Sequence, residues 1–257
     1  MTTVIKSLSK WQTLRATLNG SIGFVPTMGN LHQGHLELLR HSITACDQSV
    51  LSIFINPKQF NEQSDLDNYP RTVMEDLAKA QELGVDYVLL PTENDMYPDD
   101  FHYQVHETAL SQLMEGAHRP GHFSGMLTVV LKLLLLVKPN KAYFGEKDYQ
   151  QLLLIQGMTK AFFLETDIIG VPTVRENCGL AMSSRNSRLS ANEKILASNL
   201  YRILAKAPSD QVAAAQLTAL GFEVEYVSTH KNRRLVAAKL NKIRLIDNIA
   251  LKESIAC

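Results

Sequence analysis

The stretch SIGFVPTMGNLHQGHLELLRHSITAC, residues 21–46, combines a short apolar run, a loop with glycines and a longer polar–apolar segment. The apolar run predicts a strand. In the second half, leucine and isoleucine recur at intervals that place their side chains on one helix face. The stretch therefore predicts a strand–loop–helix unit, and its loop carries the histidines His32 and His35. What these two side chains do is the main question that the sequence poses.

The same alternation of apolar strands and helices continues through the first two thirds of the chain. Further strands are predicted at 49–56, 85–91, 141–145 and 166–172, helices at 72–84 and 149–163, and a buried helix or strand at 126–137. Continuous apolar strands that alternate with helices indicate a parallel sheet covered on both faces. Ligands bind such sheets beyond the carboxyl ends of the strands, which is where the histidine pair and Asn56 are expected.

The character of the sequence changes near residue 174. A polar loop is followed by predicted helices at 191–205 and 211–220 and by short strands at 222–228, 234–240 and 243–247. These segments indicate a small α+β domain. We therefore expect two domains, 1–173 and 174–257.

Composition excludes several classes of protein. Lys+Arg and Asp+Glu both number 26, so the chain lacks the basic excess of nucleic-acid-binding proteins. Its most apolar segment, Met126–Val137, is shorter than the ~20 residues of a membrane span and contains Lys132. Three widely spaced cysteines, Cys46, Cys178 and Cys257, are typical of a reducing compartment. We expect a cytoplasmic protein without nucleic-acid or membrane partners.

His32 and His35 do not have the spacing of a metal site. Metal-binding histidines on one helix face usually stand four apart with an acidic partner, whereas these are three apart and enclose Gln33 and Gly34. Two interpretations remain. The histidines can cap the helix, or they can bind phosphate at a helix N-terminus, where N–H groups and the helix dipole attract anions. Two imidazoles there can donate hydrogen bonds to a phosphoryl group during transfer.

A second candidate loop, FGEKDYQQ, residues 144–151, follows another predicted strand. Gly145 permits close approach of a ligand to the backbone, and Lys147 supplies a cation for phosphate. Asp148 can accept a hydrogen bond from a ribose hydroxyl or cap the following helix.

A third candidate loop, AMSSRNSRLS, residues 181–190, carries hydroxyls beside Arg185, a combination that can bind a triphosphate. It resembles the KMSKS loop that accompanies H-I-G-H in class I aminoacyl-tRNA synthetases. The co-occurrence of the two motifs favours an adenylyl-transfer site. Between them, Asn56 and Gln59 can offer amides to a small polar substrate, although turn formation is the alternative interpretation.

Eight segments together resemble the pantothenate synthetase (pantoate–β-alanine ligase) family. In chain order they are PTMGNLHQGH, INPKQF, NYPRT, EGAHRPGHFSGM, KPNKAYFGEKDYQQ, GVPTVRE, LAMSSRN and RLIDN. The resemblance implies a Rossmann-like, doubly wound ATP- and pantoate-binding domain, a smaller C-terminal domain that closes over it, and a homodimer. It also implies that pantoate is activated by ATP as pantoyl adenylate and condensed with β-alanine to pantothenate, releasing AMP and pyrophosphate.

The resemblance assigns roles to residues at the matching positions. ATP is bound by Met28, Gly29, Asn30, Leu31, His32, Gln33, Gly34 and His35, by Gly145, Glu146, Lys147 and Asp148, by Val174, and by Met182, Ser183, Ser184 and Arg185. The catalytic residues are His35, in the proton-donor position, His32, Lys147 and Arg185. Pantoate is bound by Gln59 and Gln151, to which we add Asn56, and Gln59 also lies at the β-alanine site.

Magnesium is expected to be held mainly by the ATP phosphates, without a dedicated protein site. Glu75 and Asp76 are interpreted as exposed helix charges. The sequence departs from the family pattern at Ser124, where arginine is expected, at Lys58, and after Arg185, where it is expected to be shorter. Two other functions stay open. One is another H-x-G-H nucleotidyltransferase, acting on a phosphate ester, and the other is a non-catalytic nucleotide sensor.

Overall fold

The computed structural model describes residues 1–251, so Cys257 lies outside the described residues. The chain divides into two compact units. The first contains Met1–Glu146 and Gln150–Val171. The second contains Lys147–Tyr149 and the chain from Pro172 onward. Within residues 1–251 no helix is both long and apolar enough to cross a bilayer.

The first unit is built on a six-stranded sheet in which every neighbouring pair is parallel. In chain order its strands are β1 (Thr3–Ile5), β2 (Ile22–Thr27), β3 (Gln48–Ile53), β4 (Tyr87–Leu89), β5 (Lys141–Gly145) and β6 (Asp167–Val171). Their order across the sheet is β1-β4-β3-β2-β5-β6. The predicted parallel α/β sheet is confirmed.

Helices connect these strands, as crossovers between parallel strands require. They are α1 (Leu8–Arg15), α2 (Gln33–Ala45), α3 (Gln63–Asp67), α4 (Val73–Leu83), α5 (Glu93–Met96), α6 (Glu115–His118), α7 (His122–Val137) and α8 (Tyr149–Ala161). Short 3-10 turns lie at Pro57–Gln59, Leu110–Gln112 and Glu146–Asp148.

Both faces of this sheet are covered. Phe24 and Val25 follow each other in β2 and are each 0% exposed, and consecutive strand residues point to opposite faces. Val25 packs in a cluster with Leu39 of α2 and Ala80 of α4. The apolar segment at 126–137, for which helix and strand were both open, belongs to helix α7.

The amino-terminal elements β1 and α1 are not foreseen by the sequence patterns. β1 has only three residues and pairs with β4. α1 contributes a single fully buried side chain, Trp11, whose indole N–H donates to the Leu136 carbonyl at 3.0 Å. Arg15 of the same helix also donates to the carbonyls of Val137 and Lys138, so α1 is held by one aromatic side chain and one cation rather than by an apolar repeat.

Up to residue 251, the second unit contains three helices and a three-stranded antiparallel sheet. They are α9 (Ala191–Ala197), α10 (Asn199–Lys206), α11 (Asp210–Ala219), β7 (Glu223–His230), β8 (Arg233–Leu240) and β9 (Ile243–Ala250), with a 3-10 turn at Ser184–Arg188. The small α+β unit expected for this region is confirmed. The helix predicted at 191–205 is divided at Ser198, which ends α9 and begins α10.

Candidate active site

The order of strands in the first unit reverses between β2 and β5. From β2 the chain proceeds through β3 to β4 on one side, whereas β5 and β6 lie on the other. Ligands bind parallel sheets at this reversal, beyond the carboxyl ends of the strands. The histidine loop follows β2, the turn Pro57–Gln59 follows β3, and Gln151 lies in the first turn of α8, after β5. Three predicted substrate-binding segments therefore follow three neighbouring strands.

His32 and His35 cap helix α2. His32 is the N-cap residue, and its Nδ1 accepts a hydrogen bond from the Gly34 N–H at 3.1 Å. The Nδ1 of His35 accepts from the His32 N–H at 3.4 Å. The two rings stack with their centroids 4.0 Å apart. The capping interpretation is thus realised, and the helix begins at Gln33.

Capping by these rings is compatible with phosphate binding. A neutral imidazole whose Nδ1 accepts a hydrogen bond carries its own hydrogen on Nε2. The cap therefore holds both rings in the tautomer that can donate from Nε2. Such donors at a helix N-terminus suit an anion that gains charge during a reaction.

Asp76 is the clearest correction to the sequence interpretation. Glu75 is exposed, as expected, but Asp76 is 0% exposed. Its carboxylate accepts hydrogen bonds from the backbone N–H groups of Asn30 and Leu31, in the loop that precedes His32. Asp76 is therefore a buried, hydrogen-bonded anion rather than a surface charge.

Asn56 is held entirely inside the protein. It is 0% exposed. Its Nδ2 donates to Gln59 Oε1 at 2.9 Å and to the Gly125 carbonyl at 3.1 Å. Its Oδ1 accepts from the Lys58 N–H at 3.2 Å and from the Tyr97 hydroxyl at 2.7 Å. All four hydrogen-bonding positions of the amide are thus used inside the protein, and Asn56 orients Gln59. Its contact with pantoate stays a prediction.

Tyr97 was not identified from the sequence. Burial, with the nearby charges of Glu93 and Asp99, raises the pKa of its hydroxyl well above the ordinary value. The hydroxyl therefore keeps its proton and remains a donor to Asn56 at neutral pH. This fixes the Asn56 oxygen as an acceptor, and so fixes its nitrogen as the donor to Gln59.

Gln59 lies half-buried at the end of the turn Pro57–Gln59. Its Oε1 is engaged by Asn56, which leaves the N–H groups of Nε2 to donate to a substrate oxygen. Its backbone carbonyl is contacted by His122 Nδ1 at 2.8 Å and accepts from Arg119 Nη2 at 3.3 Å. Sequence reasoning gave these two residues no individual role, although both lie in the segment EGAHRPGHFSGM that carried part of the resemblance.

Gly125 of α7 lets this helix lie against the turn that holds Gln59. A Cβ at residue 125 would collide with the backbone carbonyl of Lys58. We expect Gly125→Ala to destabilise the protein by about 1–3 kcal/mol, because the backbone atoms of Lys58 cannot rotate away from the added methyl group. We also expect it to raise the KM for pantoate, because it displaces the turn that holds the predicted pantoate ligand Gln59. Denaturant unfolding and steady-state kinetics measure the two effects.

Gly157→Ala is the matched control for this change. Gly157 also lies inside a long helix, α8, but an added Cβ there meets nothing within 4 Å. We expect this variant to be neutral or more stable by about 0.5–1 kcal/mol, with unchanged kinetics. Equal effects of the two substitutions would show that close packing at Gly125 is not what matters.

Gln151 follows a buried glutamine with a separate task. The Gln150 amide donates to the carbonyls of Leu110 and Leu113 and accepts from the Glu115 N–H. Gln150 therefore anchors the segment from Leu110 to Glu115, whereas Gln151 is half-buried. Its contact with pantoate stays a prediction.

Lys147 belongs to the second unit together with Tyr149. Its carbonyl accepts a hydrogen bond from Asn248 Nδ2 of β9 at 2.8 Å. The Arg233 guanidinium of β8 stacks on the Tyr149 ring, 4.1 Å from the centroid. The antiparallel sheet thus holds the backbone from which the Lys147 side chain extends.

The structure brings Val174 and Met182 together within the second unit. The Met182 N–H donates to the Val174 carbonyl at 2.9 Å, and Arg175 and Ala181 form an adjoining bridge. The Ser183 hydroxyl accepts from the Arg185 N–H at 3.2 Å and starts the following 3-10 turn. Two segments that the resemblance assigned separately to ATP binding therefore form one local hairpin.

The predicted catalytic groups are divided between the two units. His32 and His35 lie in the first, as does the predicted pantoate ligand Gln59, whereas Lys147 and Arg185 lie in the second. Action of all these groups on the same ATP phosphates stays a prediction. Among residues 1–251 no group of three or more His, Cys, Asp or Glu side chains is arranged to hold a metal ion.

Comparisons with known proteins agree in one family. Residues 1–250 match the family model for pantoate-beta-alanine ligase. The pantothenate synthetase of Bdellovibrio bacteriovorus is 51% identical over 251 residues, which cover 98% of this chain and 100% of that protein. The pantothenate synthetase of Coxiella burnetii is 49% identical over 258 residues, 100% of both chains. Neither alignment leaves tens of residues after Arg185 without a counterpart.

Solved structures agree with these relatives. The pantoate-beta-alanine ligase of Francisella tularensis, crystallised with beta-gamma ATP and beta-alanine, superposes with a TM-score of 0.92 at 39% identity. The match covers 97% of this chain and 98% of that one. The pantothenate synthetase of Thermus thermophilus superposes with a TM-score of 0.90, also at 39% identity, over 97% and 99% of the two chains. The chain therefore belongs to the pantoate-beta-alanine ligase family.

Proposed function

We propose that the chain forms pantothenate from pantoate, β-alanine and ATP in two steps. A pantoate carboxylate oxygen attacks the α-phosphorus of ATP, and pyrophosphate leaves with the electrons of the broken P–O bond. The amine of β-alanine then attacks the acyl carbon of pantoyl adenylate, gives up a proton, and AMP leaves. Family membership supports the overall reaction, and the site geometry supports the adenylate route.

The observation that carries this proposal is the state of the two capping histidines. Both rings accept at Nδ1, so both carry their N–H at Nε2, and they lie in the loop that follows β2, next to the reversal of the strand order. We assign His35 as proton donor to the leaving pyrophosphate and His32 as a donor to the phosphates. The surrounding loop, Met28–His35, is proposed to bind ATP through its backbone N–H groups.

Neutral amides are suited to hold the nucleophile. Gln59 presents N–H groups, because Asn56 engages its oxygen, and Gln151 is proposed as the second pantoate contact. An amide can orient a carboxylate without neutralising the negative charge that attacks phosphorus. Gln59 is also proposed to contact β-alanine, so that the amine arrives beside the same acyl group.

The second unit is proposed to supply the cations and the adenine contact. Lys147 and Arg185 would offset charge on the triphosphate, and Val174 would contact adenine. The proposed ATP-binding segments are Lys147 and Asp148, Val174 and Met182–Arg185 of the second unit, together with Gly145 and Glu146 of the first. We further propose that residues 1–173 form the ATP- and pantoate-binding domain and residues 174–257 the smaller domain.

Magnesium is proposed to enter as part of the ATP substrate. Mg²⁺ in nucleotide sites typically keeps several waters and is bound largely through substrate phosphates. A cytoplasmic location and a homodimer are likewise proposals, supported by the cysteine pattern and by the family resemblance respectively.

Incubation with ATP, pantoate and β-alanine tests the function directly. We expect AMP that depends on both acids, and pantoate-dependent exchange of pyrophosphate into ATP in the absence of β-alanine. A nucleotide sensor would bind ATP without turnover, and a nucleotidyltransferase for phosphate esters would ignore pantoate. Failure to form AMP that requires both acids would overturn the proposal.

A further inference from the structure

The anion Asp76 and the cation Lys79 of α4 both contact the loop that precedes His32. We infer that Asp76 and Lys79 are positioning residues for catalysis: they fix the turn that sets where His32 and His35 present Nε2. The inference rests on the proposed role of the two histidines. It assigns a function to two charged side chains that do not themselves touch the reacting atoms.

The Asp76 carboxylate accepts three hydrogen bonds from its surroundings. Oδ2 accepts from the Asn30 N–H at 2.8 Å, Oδ1 accepts from the Leu31 N–H at 2.7 Å, and the Thr72 hydroxyl donates to Oδ2 at 3.1 Å. A buried carboxylate is costly unless it is hydrogen-bonded, and bonds to an ionised acceptor are the strong ones. The hydrogen bonds from the loop and from Thr72, at the start of the same helix, therefore compensate for the burial of Asp76.

Lys79, one turn further along α4, also bonds to this loop. Its Nζ donates to the Leu31 carbonyl at 2.7 Å. Both backbone polar groups of Leu31 are thus bonded to α4, while the Leu31 side chain is buried in the core. The next residue in the chain is His32, so the cap begins from a fixed point.

The loop needs such anchoring because its backbone is unusual. Gly29 has φ 79° and Asn30 has φ 51°, both in the left-handed region. That region is disfavoured for residues with a side chain, although asparagine tolerates it. A Cβ at residue 29 would lie 3.0 Å from Asp76 Oδ2. Two consecutive left-handed residues turn the chain sharply, and the carboxylate binds the N–H groups that this turn exposes.

Asp76→Asn tests the inference with almost no change in size. One carboxylate oxygen is replaced by an NH₂ group. Two donors, this group and a backbone N–H of the loop, then face each other without an acceptor between them. Misplacement of a reacting group by ~1 Å can cost ~10²-fold in rate. We expect the kcat of pantoate-dependent pyrophosphate exchange to fall about 10- to 100-fold. The KM for pantoate should change less than about twofold, because Gln59 is held independently by Asn56.

Lys79→Met is the second variant, in case Asp76→Asn does not fold. Lys79 is only half-buried, and methionine keeps most of its stem, so the protein is expected to fold. We expect kcat to fall about 3- to 10-fold, consistent with the net contribution of one typical, partly solvated hydrogen bond.

Asp86→Asn is the matched control. The Asp86 carboxylate also accepts from a backbone N–H and a hydroxyl, both of Ser49, but at the amino end of the sheet. This variant should lose stability and keep its kcat. A purely structural role for Asp76 would make the two aspartate variants behave alike.

The ¹⁵N chemical shifts of the histidine rings give a readout separate from activity. The ring resonances of His32 and His35 are assigned by their disappearance in His32→Ala and His35→Ala. In the wild type, their ¹⁵N shifts should report a hydrogen on Nε2. In folded Asp76→Asn they should shift toward a mixture of tautomers. A wild-type kcat in both Asp76→Asn and Lys79→Met would overturn the inference, as would a change confined to magnesium dependence.

These outcomes are distinct from failure of the proposed function. If the function is wrong, the wild-type protein itself shows no pantoate-dependent exchange. If only the inference is wrong, exchange is present and is abolished by His35→Ala, yet it is unaffected by the α4 variants.

Discussion

His35→Ala is expected to slow pantoyl adenylate formation by about 10²- to 10³-fold while the protein remains folded. The substitution removes the Nε2–H donor proposed to act on the leaving pyrophosphate. It also removes the acceptor for the His32 N–H, but that bond is long, at 3.4 Å, so the loss of stability should be small. Pantoate-dependent pyrophosphate exchange measures the rate, and circular dichroism with thermal unfolding monitors the fold.

His41→Ala is the control for this experiment. His41 lies on the same helix, is exposed, and its Nε2 stands 3.6 Å from Glu37 on the helix surface. It should keep the wild-type rate. Near-normal turnover of His35→Ala would show that His35 has been assigned the wrong role.

Gln59→Ala is expected to raise the KM for pantoate about 10- to 100-fold. Loss of a hydrogen bond to a charged group costs roughly 1.5–3 kcal/mol, and about 1.4 kcal/mol corresponds to a factor of ten. The affinity for ATP should change little, because the histidine loop is held from α4 and not from Gln59. Steady-state kinetics with each substrate varied in turn separate the two effects.

Gln63→Ala provides the comparison. Gln63 is exposed, and its amide donates to Asp67 within the same short helix. The same side chain is therefore truncated outside the proposed site, and all kinetic constants should be retained. An effect of Gln59→Ala on ATP alone would contradict its assignment as a pantoate ligand.

Local sequence patterns predicted much of the fold. The stretch at residues 21–46 forms the predicted strand, loop and helix, and the helix predicted at 72–84 ends at Gly84 with φ 81°. The spacing of apolar residues and the glycines that end helices depend only on residues close together in the chain, so they can be recognised in the sequence. The division of the predicted helix at Ser198 and the short strand β1 depend on tertiary packing, and they were missed.

The errors at the site concern partners that are distant along the chain. Asp76 looked like a surface charge because its backbone partners, at residues 30 and 31, are 46 and 45 positions away. A signal was present: Asp76 lies one helical turn before Ala80, on the apolar face of α4, where an unpaired charge would be costly. The bonds of Asn56 to Tyr97 and Gly125 were likewise not visible in the sequence, because these partners are 41 and 69 positions away.

The adenylate route is tested most directly with pantoate labelled with ¹⁸O in both carboxylate oxygens. If a carboxylate oxygen attacks the α-phosphorus and the amine later attacks the acyl carbon, that oxygen stays with phosphorus. The proposed mechanism predicts one ¹⁸O in each molecule of AMP and one in the new amide of pantothenate, measured by mass spectrometry after turnover with β-alanine. AMP without label from pantoate would contradict it.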